Sequence, residues 1–160
     1  MKIKEGLNWI VAILRKHKIP FQITGGLAAR VYGSKRPIND IDIDIPEEYF
    51  DRILKDVKPY IIFGPAHYRD KRWDLQLLTL NYHGQEIDIG GAYQTKINDA
   101  RTGKWRAMPS DLSRIVKHEL FDITLPVTNP EDLVDYKRML VGDHQKEDIS
   151  AILKFLRKSE

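Results

Sequence analysis

From Gly25 to Asp44 the chain reads GGLAARVYGSKRPINDIDID. Phe21-Gln22-Ile23-Thr24 comes just before it, a short β-branched and aromatic run that predicts a strand. A glycine pair at a strand end permits a tight turn and lets a ligand approach the backbone N–H groups. Leu27 to Tyr32 then predicts a short helix, with Gly33 as its stop. A helix that opens on a glycine pair can hold phosphate, because its free N–H groups and its dipole both favour an anion. Asp40-Ile41-Asp42-Ile43-Asp44-Ile45 alternates strictly, so its isoleucines share one face of a strand and its aspartates the other. Carboxylates stacked along one strand repel one another and add nothing to folding. A divalent cation would turn that repulsion into binding.

Upstream, Leu7, Ile10, Val11 and Leu14 keep helical spacing between Ile3 and Lys18, with a basic last turn and Pro20 closing it. Downstream, Pro46-Glu47-Glu48 is a helix start whose helix carries Tyr49, Phe50, Ile53, Leu54 and Val57 inward. Tyr60 to Phe63 predicts a third strand, and Trp73–Tyr82 with Gln85–Ile89 a hairpin about His83-Gly84. Residues 90–110 show little periodicity and read as a long loop carrying Lys96, Arg101, Lys104, Trp105 and Arg106. Loops of that length are commonly functional. Two more extended pieces are expected around Ser113–Val127. Asn129-Pro130-Glu131-Asp132 supplies a cap, a first-turn proline and two acids for a helix to about Leu140. Asp143 is expected to cap a last helix with Ile149, Ile152, Leu153 and Leu156 on one face. Strands interleaved with helices give an α/β or α+β class.

At 160 residues the chain fits one domain, residues 1–160. The expected core lies at about 20–90 and a helical extension at about 129–158. Cysteine is absent, which excludes zinc–thiolate sites, thiol redox chemistry and a cysteine nucleophile. No apolar run reaches membrane-spanning length and the N-terminus lacks a signal-peptide core, so a soluble, cytoplasmic protein without a membrane partner is expected. A net charge of +3 is compatible with an RNA or nucleotide partner without requiring one.

A second source of carboxylates is Glu86-Ile87-Asp88-Ile89, in the same alternation as the first. If the two strands are neighbours, Asp40, Asp42 and Asp88 converge on one open face and their isoleucines pack against helices behind. Three converging carboxylates suit two Mg²⁺ ions acting on the attacking and leaving oxygens of phosphoryl transfer. The Gly25-Gly26 turn would hold a triphosphate beside them, with Lys35 or Arg36 as charged partner.

This order of parts resembles the DNA polymerase β-like nucleotidyltransferase superfamily: a Gly-Gly or Gly-Ser after a strand, a short helix, Asp-x-Asp on the next strand and a later third acid. Gly25-Gly26, Asp40-Ile41-Asp42 and Asp88 stand at those places, at a spacing similar to that of the CCA-adding head domain. Asn129-Pro130-Glu131-Asp132-Leu133-Val134-Asp135-Tyr136-Lys137, followed by Gln145-Lys146-Glu147-Asp148-Ile149, is similar to small stand-alone members related to aminoglycoside nucleotidyltransferases. The resemblance runs from Gln22 to about Ile152. It implies a mixed sheet backed by helices with an open catalytic face and C-terminal helices. It also implies transfer of a nucleoside monophosphate from a Mg-NTP to an acceptor hydroxyl, releasing pyrophosphate. Asp40, Asp42 and Asp88 would be catalytic and metal-binding, with Asp88 also helping to deprotonate the acceptor. Gly25, Gly26, Ser34, Lys35, Arg36 and Lys137 would be nucleotide-binding.

Asp44 is an acid beyond that pattern, and the pair can be read as Asp42 and Asp44. Asp40 and Asp42 are preferred because a loop, Arg36-Pro37-Ile38-Asn39, leads into them. The helical body with which CCA-adding enzymes measure tRNA is missing. Basic residues at 69–72 and 96–106 favour an RNA acceptor such as a tRNA end, and Trp105 is placed to stack on a base. The aminoglycoside-like C-terminal pattern favours a small molecule, or nucleotidylation of a partner protein in a toxin–antitoxin setting. A non-catalytic nucleotide- or partner-binding role is the reading from a different class. Plainer readings stand beside each of these: a solvated acidic strand, a turn that only needs glycine, loop charges at Lys35 and Arg36, and structural pairs at Lys137 and Asp148. The five histidines show no metal-ligand spacing.

Overall fold

The computed structural model describes residues 2–159. Its strands are β1 (Gln22–Thr24), β2 (Asp40–Ile45), β3 (Ile61–Arg69), β4 (Trp73–Tyr82), β5 (Gln85–Gly91), β6 (Lys96–Asp99), β7 (Lys104–Ala107), β8 (Val116–Leu120) and β9 (Ile123–Val127). Its helices are α1 (Lys2–Lys16), α2 (Gly25–Val31), α3 (Phe50–Val57), α4 (Pro130–Arg138) and α5 (Asp143–Lys158). The nine strands form one mixed sheet in the order β7-β6-β4-β5-β2-β1-β9-β8, with β3 also paired to β4. β2 runs parallel to β5 and antiparallel to β1.

Alternation fixes that centre. Ile41, Ile43, Ile45, Ile87 and Ile89 are all at most 1% exposed on the back of the sheet. Burying an isoleucine contributes roughly 1.5–3 kcal/mol. A slip of one residue would exchange that row for the aspartates, so the register is strongly specified. α1 packs behind β2 and β5. Gly6 permits its close approach, since a Cβ there would lie 2.9 Å from Gln85 Cγ. α2, α4 and α5 pack on one another, and the junction of α4 and α5 forms one bank of a cleft whose other bank is β3 and β4.

The expected elements appear, with four revisions. α2 begins at Gly25 itself, so the glycine pair is the first turn of the helix and not a loop before it. β3 runs past the expected Phe63 to Arg69, with Gly64-Pro65 inside a strand that pairs only with β4. α5 has Gly142 at its cap position, and Asp143 is its first residue without a capping bond. The expected loop over residues 90–110 contains the β6–β7 hairpin. Its inward positions are Ile97 and Asp99, each 1% exposed. Asp99 is neutralised by Arg101 and Arg106 at 3.0 and 3.1 Å. An acid in an inward position hides the alternation that would announce a strand.

Candidate active site

Because β2 and β5 are parallel and adjacent, Asp42 stands opposite Asp88 and Asp40 opposite Glu86. One carboxylate oxygen from each of Asp40, Asp42 and Asp88 falls within 4.8 Å of the others, and all three residues are half-buried. Thr79, opposite Asp88 on β4, donates to its Oδ1 at 2.7 Å. None of the ion pairs among the described residues includes Asp40, Asp42 or Asp88. Asp44 lies on the same face but outside this group. It accepts hydrogen bonds from Gln22 and Ser110, both at 2.9 Å.

The charges show in the titration of these groups. Burial pushes the Asp42 carboxyl well above the usual range, and the charges of Asp40, Asp88 and Asp44 push it further. Burial likewise raises Asp88 to about 6, against the Thr79 hydrogen bond and with Glu86 and Asp40 adding to the rise. Asp44 also reaches about 6 through burial, held down by its two hydrogen bonds.

The glycine pair separates this acidic group from a cationic one. Gly25 has φ +64°, and a Cβ there would sit 2.2 Å from Asp42 Oδ2, so conformation and contact both require glycine. A Cβ on Gly26 would sit 2.6 Å from Arg36 Nη2. Arg36 grips Asp148 of α5 with two bonds, Nε to Oδ1 at 3.1 Å and Nη2 to Oδ2 at 2.7 Å. Lys137 of α4 reaches the same carboxylate at 3.0 Å and also donates to Gln145 Oε1 at 2.9 Å. Ser34 Oγ donates to Asp148 Oδ1 at 2.7 Å. Burial lowers the Lys137 ammonium against the pull of Asp148. For Asp148 burial works upward, but the bonds from Arg36, Ser34 and Lys137 prevail and its carboxyl lies below the ordinary range.

Both groups open into one cleft of about 1240 Å³, in which Gly25, Gly26, Asp42, Asp88, Arg36 and Lys137 meet. Its lining from β3 and β4 includes Phe63, Trp73, Leu75 and Leu77. Ser34 and Lys35 do not line it. Ser34 is buried against Asp148 and Lys35 is exposed. The hairpin residues 96–106 are also absent from the lining, whereas Lys71 and Arg72 belong to it. Trp105 is covered by the Arg69 guanidinium, 4.8 Å from its ring centre, in place of a base. His17 and His67 pair with Asp56 and Asp74 at 2.6 and 2.5 Å, and no histidine joins the acidic group.

Thr79 and Tyr136 lie at the site and were not singled out by their sequence. Counting back from the His83-Gly84 turn would have found Thr79, since pairing Tyr82 with Gln85 sets Thr79 against Asp88. Tyr136 carries no such signal. Its phenol is pushed upward by burial and then by the charges of Asp42, Asp44 and Asp40.

No protein-family model and no curated protein matches the chain. Solved structures do. A candidate nucleotidyltransferase of Thermotoga maritima is 21% identical over 99% of this chain and 96% of its own, with a TM-score of 0.66. The lincosamide antibiotic adenylyltransferase LnuA, solved with lincomycin bound, is 13% identical over 94% of this chain and 96% of its own, with a TM-score of 0.64. ANT(2'')-Ia, solved with adenylyl-2''-tobramycin, is 12% identical over 98% of this chain and 90% of its own, with a TM-score of 0.67. The chain has the fold of these nucleotidyltransferases, a mixed sheet with helices behind it and two helices at its C-terminal end.

Proposed function

We propose that the protein transfers a nucleoside monophosphate from a Mg-NTP to the hydroxyl of a small acceptor, releasing pyrophosphate. The observation that carries this reading is the group of Asp40, Asp42 and Asp88, converging within 4.8 Å and without an ion pair, beside two cations in one cleft. Three hard oxygen donors without a protein counter-charge fit Mg²⁺. Asp40 and Asp42 would hold the ions, joined by Asp88; bound there, Mg²⁺ would draw charge from the phosphates and make the acceptor hydroxyl more acidic.

The chain's own groups supply the rest. Arg36 and Lys137 bind the phosphates, and the glycine pair keeps the approach to them open. Asp88 receives the proton of the acceptor hydroxyl as its oxygen bonds to the α-phosphorus. The bond from that phosphorus to the β-phosphate oxygen breaks, and pyrophosphate leaves. Ser34 and Lys35 have no part in this scheme as direct ligands, because neither lines the cleft.

The choice of a small acceptor over RNA rests on the walls. Phe63, Trp73, Leu75 and Leu77 give the cleft apolar lining beside the acids. The basic hairpin that favours RNA lies outside the cleft. Two neighbours were solved with small molecules, LnuA with lincomycin and ANT(2'')-Ia with adenylyl-2''-tobramycin, the second already carrying its adenylyl group. The test is pyrophosphate release from each of the four Mg-NTPs, offered a fractionated metabolite pool, total RNA or a protein extract. Release that depends on a metabolite fraction is the expected result. Release with RNA alone would restore the polynucleotide acceptor, and a labelled protein would identify a partner as the acceptor. NTP binding without any release would leave a nucleotide-binding protein.

A further inference from the structure

Asp148 is fully buried, comes from the last helix, and does not itself line the cleft. Yet it binds Arg36 twice and Lys137 once, the two cations assigned above to the phosphates. One negative charge shared by two positive ones leaves a surplus of about one positive charge facing the cleft. Each cation is also placed by it. The guanidinium of Arg36 presents its Nη2 toward Gly26, and Lys137, only 2% exposed, keeps its ammonium between Asp148 and Gln145. Ser34 bonds the Oδ1 atom that Arg36 Nε also contacts, fixing the orientation of the carboxylate itself.

We propose that Asp148 is a positioning residue of the nucleotide site: through Arg36 and Lys137 it fixes, from α5, the geometry and net charge of the triphosphate-binding bank. It contacts no reacting atom. The proposal rests on the nucleotidyl-transfer reading and adds to it that the C-terminal helix sets nucleotide affinity, over a sequence separation of 112 residues from Arg36. A purely structural ion pair would serve stability alone. A positioning residue must govern the KM for nucleotide and leave the acceptor's unchanged.

The experiment compares Asp148→Asn with Asp99→Asn. Asp99 is an equally buried carboxylate paired with two arginines, but outside the cleft. Both variants are melted, then assayed for the KM of Mg-NTP, the KM of acceptor, kcat, and inhibition by inorganic tripolyphosphate. Asp148→Asn should raise the KM for Mg-NTP about tenfold or more and weaken tripolyphosphate inhibition in parallel, with kcat changed less than about threefold. Asp99→Asn should lower the melting temperature with both KM values unchanged. A folded Asp148→Asn with an unchanged KM for Mg-NTP overturns the proposal, as does an equal rise in both KM values. If Asp148→Asn does not fold, Ser34→Ala reads the same idea by freeing the carboxylate from one restraint. A KM for Mg-NTP raised at least about twofold supports positioning, and an unchanged one overturns it. If the wild type neither turns over any Mg-NTP nor binds tripolyphosphate, the transfer reading fails, and the proposal fails with it.

Discussion

Asp42 and Asp148 are the same side chain in opposite surroundings. Asp42 has other carboxylates for neighbours and no ion-pair partner among the described residues. Asp148 has an arginine, a lysine and a serine hydroxyl on its two oxygens. Burial tends to raise both carboxyls, and only the partners decide the outcome: upward for Asp42, downward for Asp148. Folding alone selects arrangements of the second kind. The first kind costs stability and persists where something outside the chain compensates it.

That contrast is most sharply broken at Asp42. Asp42→Asn removes a repelled charge and keeps the shape, so the melting temperature without Mg²⁺ should stay level or rise. Transfer should fall by at least about a thousandfold, because the acid central to the proposed metal site is lost. A lower melting temperature together with wild-type turnover would make Asp42 a structural acid. Asp148→Ala should behave in reverse. Leaving the buried Lys137 and the partly buried Arg36 without their counter-ion costs about 3–5 kcal/mol, a fall in melting temperature on the order of 10 °C at this size. A loss under about 1 kcal/mol by denaturant titration would mean that water replaces the carboxylate freely.

Gly26 sharpens the comparison from between the two groups. Its φ lies outside the left-handed region, so Gly26→Val is a steric change with no backbone strain of that kind. The new side chain must displace the Arg36 guanidinium, which Asp148 holds with two bonds. Expected is a rise of about tenfold in the Kd for Mg-NTP by calorimetry, with a stability loss of about 1 kcal/mol. Unchanged affinity would put the triphosphate elsewhere in the cleft.

The acidic group and the cationic group were legible to different degrees, for a physical reason. Asp40, Asp42 and Asp88 could be found because alternation assigns faces locally and the family resemblance calls for a later third acid; that β2 and β5 lie side by side was assumed, and their pairing sets Asp42 against Asp88. The isoleucine row was readable by the same rule. Arg36 and Lys137 were visible as residue types and Asp148 as a residue of structural pairs, but the link from Arg36 to Asp148 was not, since nothing local ties residue 36 to residue 148. Lys35 illustrates the same limit, for adjacent cations in a loop give no sign of which one turns inward. The β6–β7 hairpin was missed because Asp99 occupies a buried position that an apolar residue would ordinarily mark.

The smallest effect is expected at Thr79, where the register prediction meets the charge argument. Its hydroxyl donates to Asp88 at 2.7 Å, and such a bond favours the ionised form. Asp88 titrates at about 6 in the folded chain, above its ordinary 3.8. A carboxyl raised on folding binds its proton more tightly in the native state, so stability falls as pH rises from the unfolded value through the folded one. In the absence of Mg²⁺ the protein should therefore lose stability at this residue between about pH 4 and pH 6, by about 1–2 kcal/mol after allowance for solvent screening. Thr79→Val removes the bond and should raise the Asp88 carboxyl further. The bond contributes about 1.5–3 kcal/mol to the charged carboxylate against about 1 kcal/mol to the neutral acid, a difference on the order of one pKa unit. The variant's pH-dependent loss should extend upward by that amount, and saturating Mg²⁺ should abolish most of the difference from wild type. Melting curves from pH 4 to pH 8, with EDTA and with Mg²⁺, measure both effects. A loss of stability equal at every pH and indifferent to Mg²⁺ would make the Thr79 bond a packing detail, uncoupled from the charge of Asp88.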